Sequence, residues 1–274
     1  MSWVAGVSEL RRRGQSGVLV TVLEARGHAP RAAGAKMVVA TEQTWGSVGG
    51  GNLESVAIER ARELLALPHP ELTTLTFDLS DRAPYEHGVQ CCGGRVHVLL
   101  EPLPTPAAVA IFGVGHVGLE LARILARHDL DLHLIDSRPD RLQPAALAPL
   151  ADAEAQLHLH PLPLLPETAL ADLPRGAHVL VMTHDHAEDF AILDAALRTD
   201  GLGSIGVIGS ATKWSRFRKR LLAESAFAES DLDRVTTPIG LTELGGKEPA
   251  VIAVSVAAAL LAAIERTRGP STER

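Results

Sequence analysis

Hydrophobic and polar positions along the chain follow two rhythms, one of period two and one near 3.6, and these mark its elements. Residues 2–14 are predicted to form a helix, capped near Ser2 and stopped by Gly14. Residues 17–24 are a β-branched apolar run of strand length, followed by a Gly-, Pro- and Arg-rich loop at 25–34 and a strand at 36–40. A glycine-dense turn, 46–51, opens into 52–67, where Leu53, Val56, Ala57, Ala61 and Leu64 trace one face of an amphipathic helix. Two further strands are predicted at 72–79 and 95–101.

Pro102, Pro104 and Pro106 stiffen the next segment into an extended connector. Beyond it the pattern alternates: strand 107–112, helix 117–127, strand 131–135, strand 177–183, helix 188–197, strand 204–208 and basic helix 211–224. Residues 139–174, rich in Ala, Leu and Pro, show no clear period. The fold class expected is α/β. A mixed α/β domain over 1–101 is joined by a linker at 102–106 to a Rossmann-like, doubly wound parallel sheet over 107–274.

Candidate chemistry falls where strands end. Gly113, Gly115 and Gly118 form G-x-G-x-x-G between a strand and a helix, the place where such a loop cradles a pyrophosphate. Asp136 closes the next strand, near the position of an acid that binds a ribose 2′-hydroxyl; the neighbouring Arg138 softens that preference. Thr183-His184-Asp185-His186 follows another strand and is read as a polar rim to a ligand pocket. His184 and His186 could share an ion only if the loop bends. Ser210 is a helix cap, and Lys213 brings positive charge to a helix start, which favours an anion partner. Gly49, Gly50 and Gly51 could offer backbone N–H groups to an anion. Cys91 and Cys92 are the only cysteines. Adjacent in Gln90-Cys91-Cys92-Gly93-Gly94-Arg95, they are suited to act as thiolate nucleophile or soft-metal ligand, with two buried hydrophobes the plainer alternative.

Composition narrows the partners. A formal charge of −7 and 3% aromatic residues argue against nucleic acid. The first residues lack the pattern of a signal peptide, and the most apolar stretch, 250–264, is judged too short to span a bilayer. The chain therefore reads as cytoplasmic, with no membrane partner and free thiols.

Taken together, residues 34–39, 45–54, 90–95, 111–118, 183–186, Ile208 to Ser210 with Lys213, and 238–241 resemble the XdhC family of xanthine dehydrogenase accessory factors, related to CoxF/CoxI-type maturation proteins. The resemblance runs from about Gly17 to Leu260. It implies a non-catalytic carrier that binds molybdenum cofactor (molybdopterin) and promotes exchange of an oxo ligand for sulfide with a cysteine desulfurase. The sulfurated cofactor would then pass to a molybdenum hydroxylase such as xanthine dehydrogenase. Some relatives carry a cysteine in the glycine loop, where this chain has Gly51 and Asn52, leaving Cys91 and Cys92 as the thiols that would face molybdenum. On this reading Gly49, Gly50 and Gly51 take the phosphate. Gly113, Gly115 and Gly118 take a nucleotide, such as NAD(P), or the pterin tail, and a homodimer is expected by analogy. Whether the cofactor is the mononucleotide or dinucleotide form stays open. Two other classes compete: an NAD-dependent oxidoreductase using His184 or His186, and a nucleotide-sensing regulatory protein.

Overall fold

The computed structural model describes residues 2–27, 29–67, 69–78, 94–161, 165–225 and 227–268, with side chains to residue 266. The chain divides between Thr105 and Pro106 into two units.

In the first unit, helix α1 (Trp3–Arg12) begins where the Ser2 side chain accepts the amide of Val4. Strands β1 (Gly17–Gly27), β2 (Lys36–Val39), β3 (Thr44–Gly46), β4 (Thr73–Asp78) and β5 (Gly94–Leu103) form an antiparallel sheet in the order β3-β2-β1-β5-β4. Helix α2 (Gly51–Leu65) lays Leu53, Ala57 and Ala61 into a core with Val18, Val20, Val22, Val96, Val98 and Leu100. On the sheet's other face, Leu10 of α1 clusters with Val38 and Trp45.

The strand β5 runs two residues past the predicted limit and absorbs Pro102, which sits opposite Val18. Pairing with β4 has ended by then, at Leu100 opposite Thr73, so the missing proline N–H is lost from an open strand side.

The second unit holds β6 (Ala107–Phe112), α3 (His116–Leu125), β7 (Leu130–Asp136), β8 (Gln156–Pro161), α4 (Pro166–Ala171), β9 (His178–Val181), α5 (His186–Arg198), β10 (Ser204–Val207), α6 (Ala211–Glu224), α7 (Glu229–Leu232), β11 (Val235–Thr236) and α8 (Pro249–Arg268). Its parallel sheet has the order β11-β10-β9-β6-β7-β8. That is the doubly wound arrangement, with the order reversing between β6 and β9. One face packs on α3 and α8, the other on α4, α5 and α6.

Two expectations change. The aperiodic stretch after Pro139 contains β8 and α4, besides two short 3₁₀ turns. The 250–264 segment belongs to the longer α8, in which Pro249–Arg266 is long and apolar enough to cross a membrane by length and composition. In this fold, however, its Ala253, Val256, Ala257, Leu260 and Ile264 are buried in the cluster that holds Leu121 and Leu125 of α3.

Strand β8 also carries a histidine cluster. His133 of β7 lies opposite His158, their rings stacked 4.4 Å apart, and its Nδ1 is 3.0 Å from His160 Nε2. Asp131 is 3.8 Å from His158, and the charge of Asp172 bears on His160. Burial, with the neighbouring His158 and His160, depresses the His133 pKa to about 3, and its buried Nε2 has no hydrogen-bond partner among the described residues. Folded His133 thus stays neutral where the unfolded residue, near 6.5, takes a proton. Its contribution to stability is complete above pH 6.5 and is lost as pH falls toward 3. We expect urea midpoints between pH 6.5 and 4 to fall less steeply in His133→Phe than in the parent, by about one proton in the linkage slope.

Candidate functional site

The carboxyl edge of the parallel sheet gathers most of the second unit's candidates. Gly113 leaves β6 at φ +105°, a left-handed conformation, and a Cβ there would lie 2.4 Å from the Met182 carbonyl oxygen. At Gly118 a Cβ would come 2.1 Å from the Gly113 oxygen, so the third glycine lets α3 pack against the turn. Gly115 differs from both: the atom nearest to its imagined Cβ is Arg138 Nη2, at 3.9 Å. The loop is therefore closed on the protein side by two glycines and open over the middle one.

Asp136 ends β7 almost fully buried, and it turns toward the protein. Its Oδ2 accepts the Val114 amide at 2.7 Å and Arg138 Nη2 at 2.8 Å, while Oδ1 accepts the amide and Nε of Arg138, each at 2.9 Å. Burial alone would raise its pKa, but these donors hold the carboxyl below the usual range. The aspartate fixes the glycine loop and the arginine; a ribose diol would find its lone pairs occupied.

Beside it, Ser137 Oγ donates to Glu188 Oε2 at 3.2 Å. Glu188 is pushed upward in pKa by burial, and the charges of Asp136 and Asp189 add to that push. His184 is half exposed, with Nδ1 3.8 Å from the same Glu188 oxygen. His186 instead opens α5 and sets its ring edge-on to Phe217, centroids 6.4 Å apart. Asp185 caps α5 by accepting the amides of Ala187 and Glu188. The two imidazoles thus serve different neighbours. Among the described residues no group of three His, Cys, Asp or Glu side chains is arranged to hold a metal ion.

Lys213 has found its anion within the fold. Its Nζ donates to Asp189 Oδ2 at 2.5 Å and to the Ile208 carbonyl at 2.8 Å. Asp189 is fully buried and also accepts the amide and hydroxyl of Thr183 at 2.9 and 2.8 Å. Ser210 caps α6 through the Lys213 amide, as its position implies. These contacts tie the loop after β9 to the loop after β10. The lysine holds the site's frame, and its ammonium is not presented to a ligand.

A parallel substitution occurs in the first unit. Gly49, Gly50 and Gly51 all adopt positive φ, and Gly50 precedes α2. The amides of Val48 and Gly50 point at Glu54 Oε2, at 3.1 and 3.0 Å, and Ser47 Oγ donates to it at 2.5 Å. Burial works against the ionised form, yet these donors bring the Glu54 pKa below normal. The loop is an anion cradle, and the chain's own carboxylate fills it. Over Gly50 and Gly51, apart from their own chain neighbours and helix backbone, no atom of the described residues lies within 4 Å of an imagined Cβ. Cys91 and Cys92 lie outside the described residues.

Sequence reasoning passed over Asp189, Glu188 and Glu54. Asp189 had a signal: it shares the buried stripe of α5 with Ile192, Leu193 and Ala196, where a charge demands a partner. Glu54 sits four residues after Gly50, within reach of the turn it closes.

The chain joins an antiparallel α/β unit to a doubly wound domain, and within that second domain the glycine loop lies open at the switch point, where nucleotide-type ligands bind in such folds. The family description "XdhC Rossmann domain" matches residues 109–260, and "XdhC and CoxI family" matches residues 10–78. The chain belongs to the XdhC family. It is 25% identical over 245 residues to the Uncharacterized protein YqeB of Escherichia coli strain K12, which covers 89% of this chain and 42% of that relative. The chain thus spans less than half the length of that curated relative. A solved structure named as a xanthine dehydrogenase, from Bacillus halodurans, is 20% identical and covers 100% of this chain and 98% of its own, with a TM-score of 0.49. A metagenomic short-chain oxidoreductase solved with NADP is 17% identical over 61% of this chain and 95% of its own, at a TM-score of 0.37.

Proposed function

We propose that this chain is a maturation factor for a molybdenum hydroxylase of the xanthine dehydrogenase type. It binds molybdenum cofactor, supports sulfuration of the cofactor with a cysteine desulfurase, and delivers it to the client enzyme. The observation that carries this reading is the match of both halves to XdhC descriptions within one chain, residues 10–78 and 109–260.

The described residues fit the phosphate-bearing part of such a ligand. The space over Gly115 is open, and the amides at the start of α3 meet negative charge favourably. Asp136 holds the Val114 amide and Arg138 in place before any ligand arrives. A bound cofactor would supply the molybdenum and the ligand exchange on it. The chain's share is to bind, orient and shield. The adjacent thiols of Cys91 and Cys92 are the soft donors assigned to the metal side, on sequence grounds.

The test is co-expression with the molybdenum-cofactor pathway, followed by assay of bound molybdenum and pterin. Near-stoichiometric pterin in the parent and a severalfold loss in Cys91→Ala/Cys92→Ala are expected. Parent protein free of pterin, or cells lacking the chain that still make fully active xanthine-oxidising enzyme, would overturn the reading. Nicotinamide-linked turnover of a small substrate would favour an oxidoreductase instead.

A further inference from the structure

We propose that the crevice of the second unit selects a 2′-phosphorylated dinucleotide of the NADP type over its unphosphorylated counterpart, with Arg138 as the specificity-determining residue. The inference concerns the glycine loop after β6, the loop on which the molybdopterin reading also seats a phosphate; it does not rest on that reading, and nucleotide binding is measured separately from pterin content.

At the tip of β7 a doubly wound fold reads the adenine ribose. An acid that binds a ribose diol needs free lone pairs. A carboxylate has about four such sites, and those of Asp136 meet four donors, from Val114 and Arg138. With Asp136 at 2% exposure, no approach for two hydroxyls is left.

Arg138 has the opposite character. Of its N–H groups, Nε and one on Nη2 go to Asp136, and among the described residues both hydrogens of Nη1 and the second on Nη2 have no hydrogen-bond acceptor. The side chain is 27% exposed, and Nη2 borders the open space over Gly115. Held at its backbone amide and along one edge, the guanidinium offers its other edge in a fixed pose. A planar fork of that kind suits a phosphate dianion better than a neutral diol. In the same turn, Arg141 Nε makes no hydrogen bond among the described residues, but it lies 3.7 Å from Asp140 Oδ2, which already balances its charge. Charges of both signs face this place. Glu188 and Asp140, whose charges both bear on Arg138, oppose an anion; the raised pKa of Glu188, with His184 at 3.8 Å, softens the first, and the Arg141 pairing offsets the second.

Calorimetry on the full chain with NADP⁺, NAD⁺, 2′,5′-ADP and 5′-ADP tests the proposal. NADP⁺ is expected to bind at least tenfold tighter than NAD⁺, and 2′,5′-ADP tighter than 5′-ADP. Arg138→Ala should lose ten- to a hundredfold in affinity for the 2′-phosphorylated pair and little for the others. Should that variant fail to fold, Arg138→Lys, which keeps the charge but not the fork, should show an intermediate loss. Equal or tighter binding of NAD⁺ by the parent, an unchanged preference in the variants, or no binding of any of the four would overturn it.

Discussion

Lys213→Met is expected to lower the unfolding free energy by about 3–5 kcal/mol, the cost of leaving a buried charge without its partner. Asp189 has no exposed surface, and among the described residues the lysine ammonium is the charge that balances it. Removing that ammonium leaves a carboxylate that must either protonate or stay ionised in a poorly polarisable setting. Urea denaturation at neutral pH reads the loss directly. A second substitution, Asp189→Asn in the same chain, should recover part of it. The amide keeps an acceptor for Thr183 and carries no charge, so the two changes should be strongly non-additive. A single-variant loss below about 1 kcal/mol would mean that water reaches the pair. The effect should extend to ligands, because the same carboxylate fixes Thr183 at the start of the loop that carries His184.

The second large effect is expected at Gly118. A methyl group there would meet the Gly113 oxygen at 2.1 Å and its carbonyl carbon at 3.1 Å. Both belong to the backbone, so no side chain can swing aside. Gly113 is itself held, its amide donating to the Ile135 carbonyl at 2.8 Å. Gly118→Ala should therefore cost about 1–3 kcal/mol or somewhat more, lowering the melting temperature by about 2–4 °C for each kcal/mol. Gly115→Ala is the control. Its site has open space, so the melting temperature should hold while nucleotide affinity falls. Equal melting temperatures for the two variants would show that the helix is free to slide away from the turn.

The contrast between these positions explains what the sequence reveals and what it hides. Three glycines at fixed spacing after an apolar run are themselves the geometric requirement of a strand–turn–helix, so β6, its loop and α3 were legible. The strand β8 was not, because its inward positions are His158 and His160 where apolar residues would signal burial. Its period of two is present, but of its apolar alternates Leu157 is only partly buried and Leu159 is exposed, so neither face reads as a buried stripe. The pairings of charges were hidden for another reason. Sequence shows that Glu54, Asp136, Lys213 and Arg138 are charged, yet only the fold brings Lys213 to Asp189, 24 residues away. Asp136 and Lys213 looked available to a ligand and Glu54 drew no notice, and all three are engaged chiefly within the site's own frame. Cys91 and Cys92, the most distinctive residues of the chain, remain a statement of sequence.

The carboxylate of Glu54 has a consequence for the turn it closes. Three successive residues with positive φ would sample many shapes if left to water. Clasped from within by an acidic side chain, they settle into one shape as the chain folds, before any visitor arrives. The entropy of arranging that turn is thus met by folding rather than by association. An arriving anion would encounter a finished surface whose inner seat is taken, and would have to trade places with a resident.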